Sequence, residues 1–152
     1  MLDPDQYIAA RRRNRRILST LAAITVLAAV GSFLWRQAEE RDAEDALVAR
    51  SEGRILAADF GSLRAVVKEV GPVLFEDSRA SAALASVDAR AELIIHVLYT
   101  GVPTQRQRAE ELVGLAEERA PGAAPTRVAR ALLEGLVGDP TEALRIIDAS
   151  GF

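Results

Sequence analysis

Residues 17–35, ILSTLAAITVLAAVGSFLW, form 19 consecutive positions without a charged side chain, directly behind the basic cluster RRRNRR at 11–16. A helix of this length spans roughly 28 Å at 1.5 Å per residue, close to the hydrocarbon thickness of a bilayer. We therefore predict one transmembrane helix over 17–35. The main alternative is a cleaved signal peptide, which has a shorter apolar core and small residues before its cleavage site. The C-terminal end of the stretch, SFLWRQA at 32–38, lacks these small residues at a cleavage-site spacing. A soluble protein with a buried core helix is the third alternative.

The charges on either side of this stretch differ in sign. Residues 1–16 carry five arginines and two aspartates, a net charge of +3, whereas 36–152 carry 14 basic and 20 acidic groups, a net charge of −6. Positive charge beside a membrane span stays in the cytoplasm. The pattern predicts a single-pass bacterial inner-membrane protein with a cytoplasmic N-terminus and a periplasmic or otherwise extracytoplasmic C-terminal domain. The residues that set this topology are Arg11, Arg12, Arg13, Arg15 and Arg16. We expect them to contact membrane lipid and no nucleic acid.

Small and weakly polar residues recur at three- and four-residue spacing along the apolar stretch. Such a stripe lets two helices approach closely in lipid, where packing and interhelical hydrogen bonds drive association. We predict packing against another membrane helix, although any alanine-rich helix shows some stripe of this kind. The residues are Ser19, Ala22, Thr25, Ala29 and Ser32.

The remainder of the chain has helix start and stop signals and no period-two alternation, so we predict an all-α fold with no sheet. Gly71-Pro72 is expected to end a short helix, Thr104 to open one with capping-box spacing, and Asp139-Pro140 to open the last one. The predicted organisation is a cytoplasmic basic tail over 1–16, the transmembrane helix over 17–35, a juxtamembrane helix extending outward over 36–60, and a helical-hairpin domain over 61–152.

The second half of the chain contains a 34-residue period. The pairs at this separation are Ile94 and Val128, Leu98 and Leu132, Gly101 and Gly135, and Ala109 and Ala143. The sequence GDPTEAL at 138–144 and Pro121 at the end of the first unit resemble the tetratricopeptide repeat. The resemblance implies an array of tetratricopeptide-like helical hairpins. An unrelated helical bundle is the alternative, since the first unit lacks the Gly-Asp turn and both lack the family's large aromatic residue.

The overall layout is similar to that of the ancillary subunit of the bacterial Sec translocon. That resemblance implies protein partners in the membrane and the periplasm. We expect a membrane-anchored protein-binding adaptor or scaffold on the extracytoplasmic side, in envelope protein translocation or assembly. The alternative is a fixed structural subunit or assembly factor of a larger envelope membrane complex. The last helix, about 140–149, carries Leu144, Ile146 and Ile147. We expect either that it packs back as a cap or that a partner covers it.

No pattern in the sequence points to an enzyme, a cofactor or a metal. There is no cysteine, and the single histidine lies in the apolar stretch LIIHVL at 93–98, where no second histidine stands at helical spacing. We interpret His96 as a packed or hydrogen-bonded structural residue. The acidic run at 39–45 lacks the glycine-turned loop of a calcium site, so we interpret it as a solvated helix face. Phosphate-binding loops and nucleophile elbows are absent.

We predict the protein-binding surface on the first helix of each hairpin, about 91–100 and 126–137, because repeat arrays present these helices on a concave face. The polar or aromatic positions between the apolar ones are Glu92, His96, Tyr99, Arg127, Arg130 and Glu134. Tyr99 is the strongest candidate, since aromatic side chains contribute much of the energy at interfaces. The alternative is that Tyr99 packs in the core. Its neighbour Leu98 is expected to be a core residue and serves as the reference for the stability lost on substitution.

Overall fold

The computed structural model describes residues 4–76 and 80–150, with side chains described over 25–75 and 80–149. Within these ranges all regular structure is helical, which confirms the predicted all-helical fold with no sheet. The helices are α1 (Pro4–Ala57), α2 (Phe60–Glu76), α3 (Ala82–Ile95), α4 (Pro103–Arg119), α5 (Ala124–Val137) and α6 (Pro140–Ser150). A π-helical turn, His96–Thr100, extends α3.

The predicted transmembrane helix requires correction. Among the residues that the structure describes, no helix is both long enough and apolar enough to cross a membrane. The side chains of 17–24 lie outside the described residues. Between 25 and the first charge at Arg36, the described part of α1 has 11 uncharged residues.

Contacts divide the chain into two compact units, residues 1–42 and residues 43–152. The first unit consists of α1 up to residue 42. The second unit contains the end of α1 and all the other helices. α1 is continuous from Pro4 to Ala57, so the helix has no break at the predicted boundaries 16/17 and 35/36.

Helix α3 is the central element of the second unit. It packs against α2, α4 and α5, while α6 packs against α5. Two apolar clusters meet on α3. The first cluster joins α3 to α2 and the end of α1, and it includes Ile55, Leu63, Val66, Val70, Leu84 and Val87. The second cluster joins α3 to α4 and α5, and it includes Ala89, Leu93, Ala109, Leu112, Val113, Ala129 and Leu133. Alanines at 85, 89 and 91 are fully buried, which allows the neighbouring helices to approach α3 closely.

The predicted stop at Gly71-Pro72 is wrong, because α2 continues to Glu76 with Pro72 inside it. Proline removes one backbone hydrogen bond and costs a helix interior about 3 kcal/mol. Val73 and Leu74, beyond the proline, pack against the apolar cluster and offset part of that cost. Gly71 has another role: a Cβ there would lie 3.0 Å from Nη2 of Arg108. The glycine leaves room for this guanidinium.

Two of the predicted helix starts have different outcomes. α4 begins at Pro103, and the preceding residue Val102 provides no side-chain cap, so the predicted capping box at Thr104 is wrong. A proline in the first helical position needs no amide partner, which is why α4 can begin without a side-chain cap. The predicted start of α6 is confirmed, since Oδ1 of Asp139 accepts a hydrogen bond from the Thr141 amide at 2.8 Å.

Candidate protein-binding surface

An apolar groove runs between α5 and α6, and we call it the α5–α6 groove. Its cavity volume is about 560 Å³. The lining residues are Arg127, Val128, Ala131, Leu132, Gly135, Leu136, Ala143, Ile146 and Ile147. Leu136 is 40% exposed and Ile147 is 44% exposed. Contiguous exposed apolar surface on a folded domain marks sites of interaction with other molecules.

The turn between α5 and α6 holds the two walls of the groove together. The amide of Gly138 donates to the carbonyl oxygen of Glu134 at 3.1 Å, and that of Asp139 donates to the Glu134 carboxylate at 3.1 Å. Asp139 then caps α6. At Gly135, a Cβ would lie 3.5 Å from Cβ of Ala143, so the two helices are close at this point. These hydrogen bonds and this close approach define the geometry of the groove.

A charged cluster lies between α3 and α4, where two buried carboxylates contact a partly exposed arginine. Nη2 of Arg108 lies 3.4 Å from Oδ2 of Asp88, and its Nε lies 3.3 Å from Oε1 of Glu92. Asp88 is fully buried, and its Oδ1 has no hydrogen-bond partner. Burial raises the pKa of Asp88 from its ordinary value of 3.8 to about 6, against the opposing effect of Arg108. Burial also raises the pKa of Glu92, which Arg108 and Arg64 counteract.

The structure places Glu92, His96 and Tyr99 in structural contacts. Glu92 is buried in the charged cluster, so its carboxylate does not lie on the predicted exposed face. Nδ1 of His96 donates to the carbonyl oxygen of Val102 at 3.0 Å, across the π-helical turn. The Tyr99 hydroxyl donates to the carbonyl oxygen of Ala58 at 2.6 Å, and its ring lies 5.2 Å from that of Phe60.

Leu98 and Tyr99 are both exposed at the π-helical turn. Leu98, the expected core reference, is 62% exposed, and Tyr99 is 46% exposed. The Tyr99 hydroxyl connects the end of α3 to the junction of α1 and α2, where Ala58 has a positive φ of 53°. Left-handed backbone is strained for alanine, so a hydrogen bond to its carbonyl helps to hold the junction.

We expect Tyr99→Phe to lower the free energy of unfolding by about 1 kcal/mol, because it removes the hydrogen bond to Ala58 and keeps the ring contact with Phe60. Urea unfolding followed by circular dichroism measures the change, with Leu98→Ala as the exposed neighbouring control. Unchanged stability of Tyr99→Phe would show that this hydrogen bond contributes nothing.

Arg127, Arg130 and Glu134 lie together on α5. Arg130 pairs with Glu134 at 2.9 Å and with Glu117 of α4 at 3.8 Å. Arg127 lines the α5–α6 groove, and its Nε is buried without a hydrogen-bond partner. Of the six predicted positions, Arg127 is thus the one that lies in the groove. A protein-binding role for each of the six stays a prediction.

Seven of the residues predicted to act in the membrane lie outside the ranges with described side chains. They are Ser19, Ala22 and the arginines at 11, 12, 13, 15 and 16. Thr25, Ala29 and Ser32 are exposed on α1, and the hydroxyl of Ser32 donates to the carbonyl oxygen of Ala28 at 2.8 Å. The predicted helix packing and topology therefore stay predictions. Within 25–75 and 80–149, no group of three or more acidic or histidine side chains could hold a metal ion.

Comparison with known proteins gives no match. No family model matches the chain, and neither a curated protein nor a solved structure is significantly similar to it. The resemblances in sequence pattern and layout stay predictions.

Sequence reasoning found part of the α5–α6 groove and missed the rest. Ile146 and Ile147 are two of the apolar residues expected to need a cover, and both line it. The other groove residues on α5 are apolar or glycine, whereas the binding positions that the sequence predicts on this helix are polar. The 34-residue period contains the missing signal, since Val128, Leu132 and Gly135 all belong to it.

Proposed function

We propose that this chain is a protein-binding adaptor or scaffold without enzymatic activity, and that residues 43–152 bind partner proteins in the α5–α6 groove. The observation that carries the proposal is the apolar surface of this groove, on which Leu136 and Ile147 remain exposed. Burial of apolar side chains is the dominant favourable term in protein association. A partner that removes these side chains from water would therefore gain favourable binding free energy.

The rigidity of the hairpin supports the same proposal. Interfaces that are ordered before binding lose less conformational entropy when the partner arrives. Here the hydrogen bonds of Glu134 and Asp139 hold the turn, and α5 lies close to α6 at Gly135, where an added Cβ would lie 3.5 Å from Cβ of Ala143. The groove offers a partner a surface that is already formed.

Site-specific photo-crosslinking of the full-length chain in cells tests this function. A benzophenone amino acid at Leu136 or Ile147 is expected to give discrete protein adducts. The matched control is Leu56, an apolar side chain on α1 that is 85% exposed and does not line the groove. Adducts of equal yield from all three positions, or none from the groove, would contradict the proposal. One stoichiometric neighbour would indicate a fixed subunit, and several substoichiometric ones an adaptor.

A further inference from the structure

We infer that the end of α1, residues 43–57, is a strap that opens from α2 and α3 while the rest of the domain stays folded. These residues belong to the same compact unit as the other helices. The strap is joined to α2 by Ala58 and Asp59, the two residues between the helices. Opening at this junction uncovers the side of the first apolar cluster on which Ile55 lies. The inference is independent of the α5–α6 groove.

The strap buries little apolar surface. Within 43–57, all of which the structure describes, Ile55 is the one buried residue of the first cluster, while Leu47 and Val48 are only partly buried against it. The buried residues that α2 and α3 supply to the same cluster are Leu63, Val66, Val70, Leu84, Val87, Ala91 and Ile95. Segments with few buried apolar contacts open at a lower free energy than the core of a domain.

The polar contacts of the strap are incompletely satisfied. Ser51 is fully buried, and its hydroxyl has no hydrogen-bond partner. Nη1 of Arg54 lies 2.7 Å from Oε1 of Glu69 on α2 but forms no hydrogen bond. Arg90 of α3 pairs with Glu52 through Nη2, while its Nε is buried without a partner. Because a buried polar atom without a partner has lost its hydration and gained no hydrogen bond, opening favours these groups by returning them to water.

The junction combines backbone strain with a single hydrogen bond from α3. Ala58 has a φ of 53°, in a region that alanine rarely adopts. Its carbonyl oxygen accepts the hydrogen bond from the Tyr99 hydroxyl, and the Tyr99 ring packs against Phe60. Tyr99 is exposed, so water competes for this bond. Loss of the bond frees the Ala58 backbone to relax, which favours the open strap.

Thiol labelling of the full-length protein tests the inference, because the natural chain contains no cysteine. In the Ser51→Cys protein, a water-soluble maleimide reaches the fully buried position 51 only when the strap opens. The matched control is Val113→Cys, at a fully buried position of the second apolar cluster. Each rate is divided by the rate for the same protein unfolded in urea. We expect the normalised rate at 51 to be at least roughly tenfold higher than at 113.

The contacts that hold the strap give two further expectations. Adding Tyr99→Phe to Ser51→Cys should raise labelling at 51 severalfold, whereas adding the surface substitution Leu98→Ala should not. Molar sodium chloride screens the ion pairs of Glu52 and Arg54 and should also raise labelling at 51 severalfold. Labelling at 113 should not rise with salt.

Three results would overturn the inference. Equal normalised rates at 51 and 113 would show that the strap opens only when the whole domain unfolds. A rate at 51 that neither Tyr99→Phe nor salt changes would show that these contacts do not hold it. Hydrogen exchange of the natural protein controls for any loosening by the new thiol. Amides of 47–57 that exchange no faster than those of α3 would contradict the strap as well.

Discussion

Replacing Leu93 by alanine is expected to lower the free energy of unfolding by about 3 kcal/mol and the Tm by roughly 10 °C. Leu93 is fully buried on α3, in the cluster where α3, α4 and α5 meet. Truncation removes its transfer free energy and leaves a cavity that three packed helices cannot close without moving. Differential scanning calorimetry of the full-length protein measures the change.

Leu98→Ala is the matched control, because it makes the same chemical change five residues later, at a side chain that is 62% exposed. Substitutions at such surface positions usually change stability by no more than about 0.5 kcal/mol. If the two variants lose equal stability, the assignment of Leu93 to the core and of Leu98 to the surface is wrong.

Replacing Arg108 by alanine is expected to destabilise the protein by about 2 kcal/mol at pH 7. Removing one partner of a fully buried ion pair costs roughly 3–5 kcal/mol, and the partial exposure of Arg108 reduces this figure. The variant leaves Asp88 and Glu92 buried without the cation that both contact. Urea unfolding at several pH values measures the loss.

The pH dependence identifies the cause of this loss. Because the pKa of Asp88 is raised by burial to about 6 from an ordinary value of 3.8, its contribution to stability is fullest below about pH 4. That contribution is lost as the pH rises through 6, where the buried carboxyl ionises. Glu92, whose pKa is also raised, acts in the same direction. The penalty of Arg108→Ala should therefore be smaller at pH 5 than at pH 7.

Asp88→Asn provides the rescue, since it removes the buried charge and keeps a similar shape. Adding it to Arg108→Ala should restore part of the stability at pH 7 and flatten the pH dependence. Glu118→Gln, an exposed position on α4, should do neither. A double variant no more stable than Arg108→Ala alone would show that Asp88 is not the group responsible.

The features that follow from local chemistry were predictable from the sequence. The helix start and stop residues indicated the all-helical class, and Asp139 caps α6, as its position directly before Pro140 predicts. The exposure of Leu98 was not predictable in this way. At the π-helical turn the Gly101 amide donates to the carbonyl of His96, five residues back, instead of four. Such a turn accommodates one extra residue and rotates the following side chains. A 3.6-residue period cannot anticipate that rotation.

A long-range contact accompanies the burial of Glu92, which the sequence predicts on an exposed binding face. Its Oε1 lies 3.3 Å from Nε of Arg108, which the fold brings from the next helix. The length of the apolar stretch at 17–35 indicated a membrane span, but length and hydropathy are properties of a segment alone. Among the residues whose side chains are described, no helix is both long enough and apolar enough to cross a membrane, and α1 continues through the charged residues from Arg36 onwards.

The space at Gly71 has a consequence for how this sequence can vary. A methyl group there would lie 3.0 Å from Nη2 of Arg108, so the guanidinium that reaches Asp88 would have to shift slightly. A glycine on α2, an arginine on α4 and an aspartate on α3 are therefore coupled, although they are distant in sequence. In related chains we expect the three positions to covary: a bulky residue at 71 should accompany a shorter one at 108, and an uncharged residue at 88 should accompany the loss of the cation.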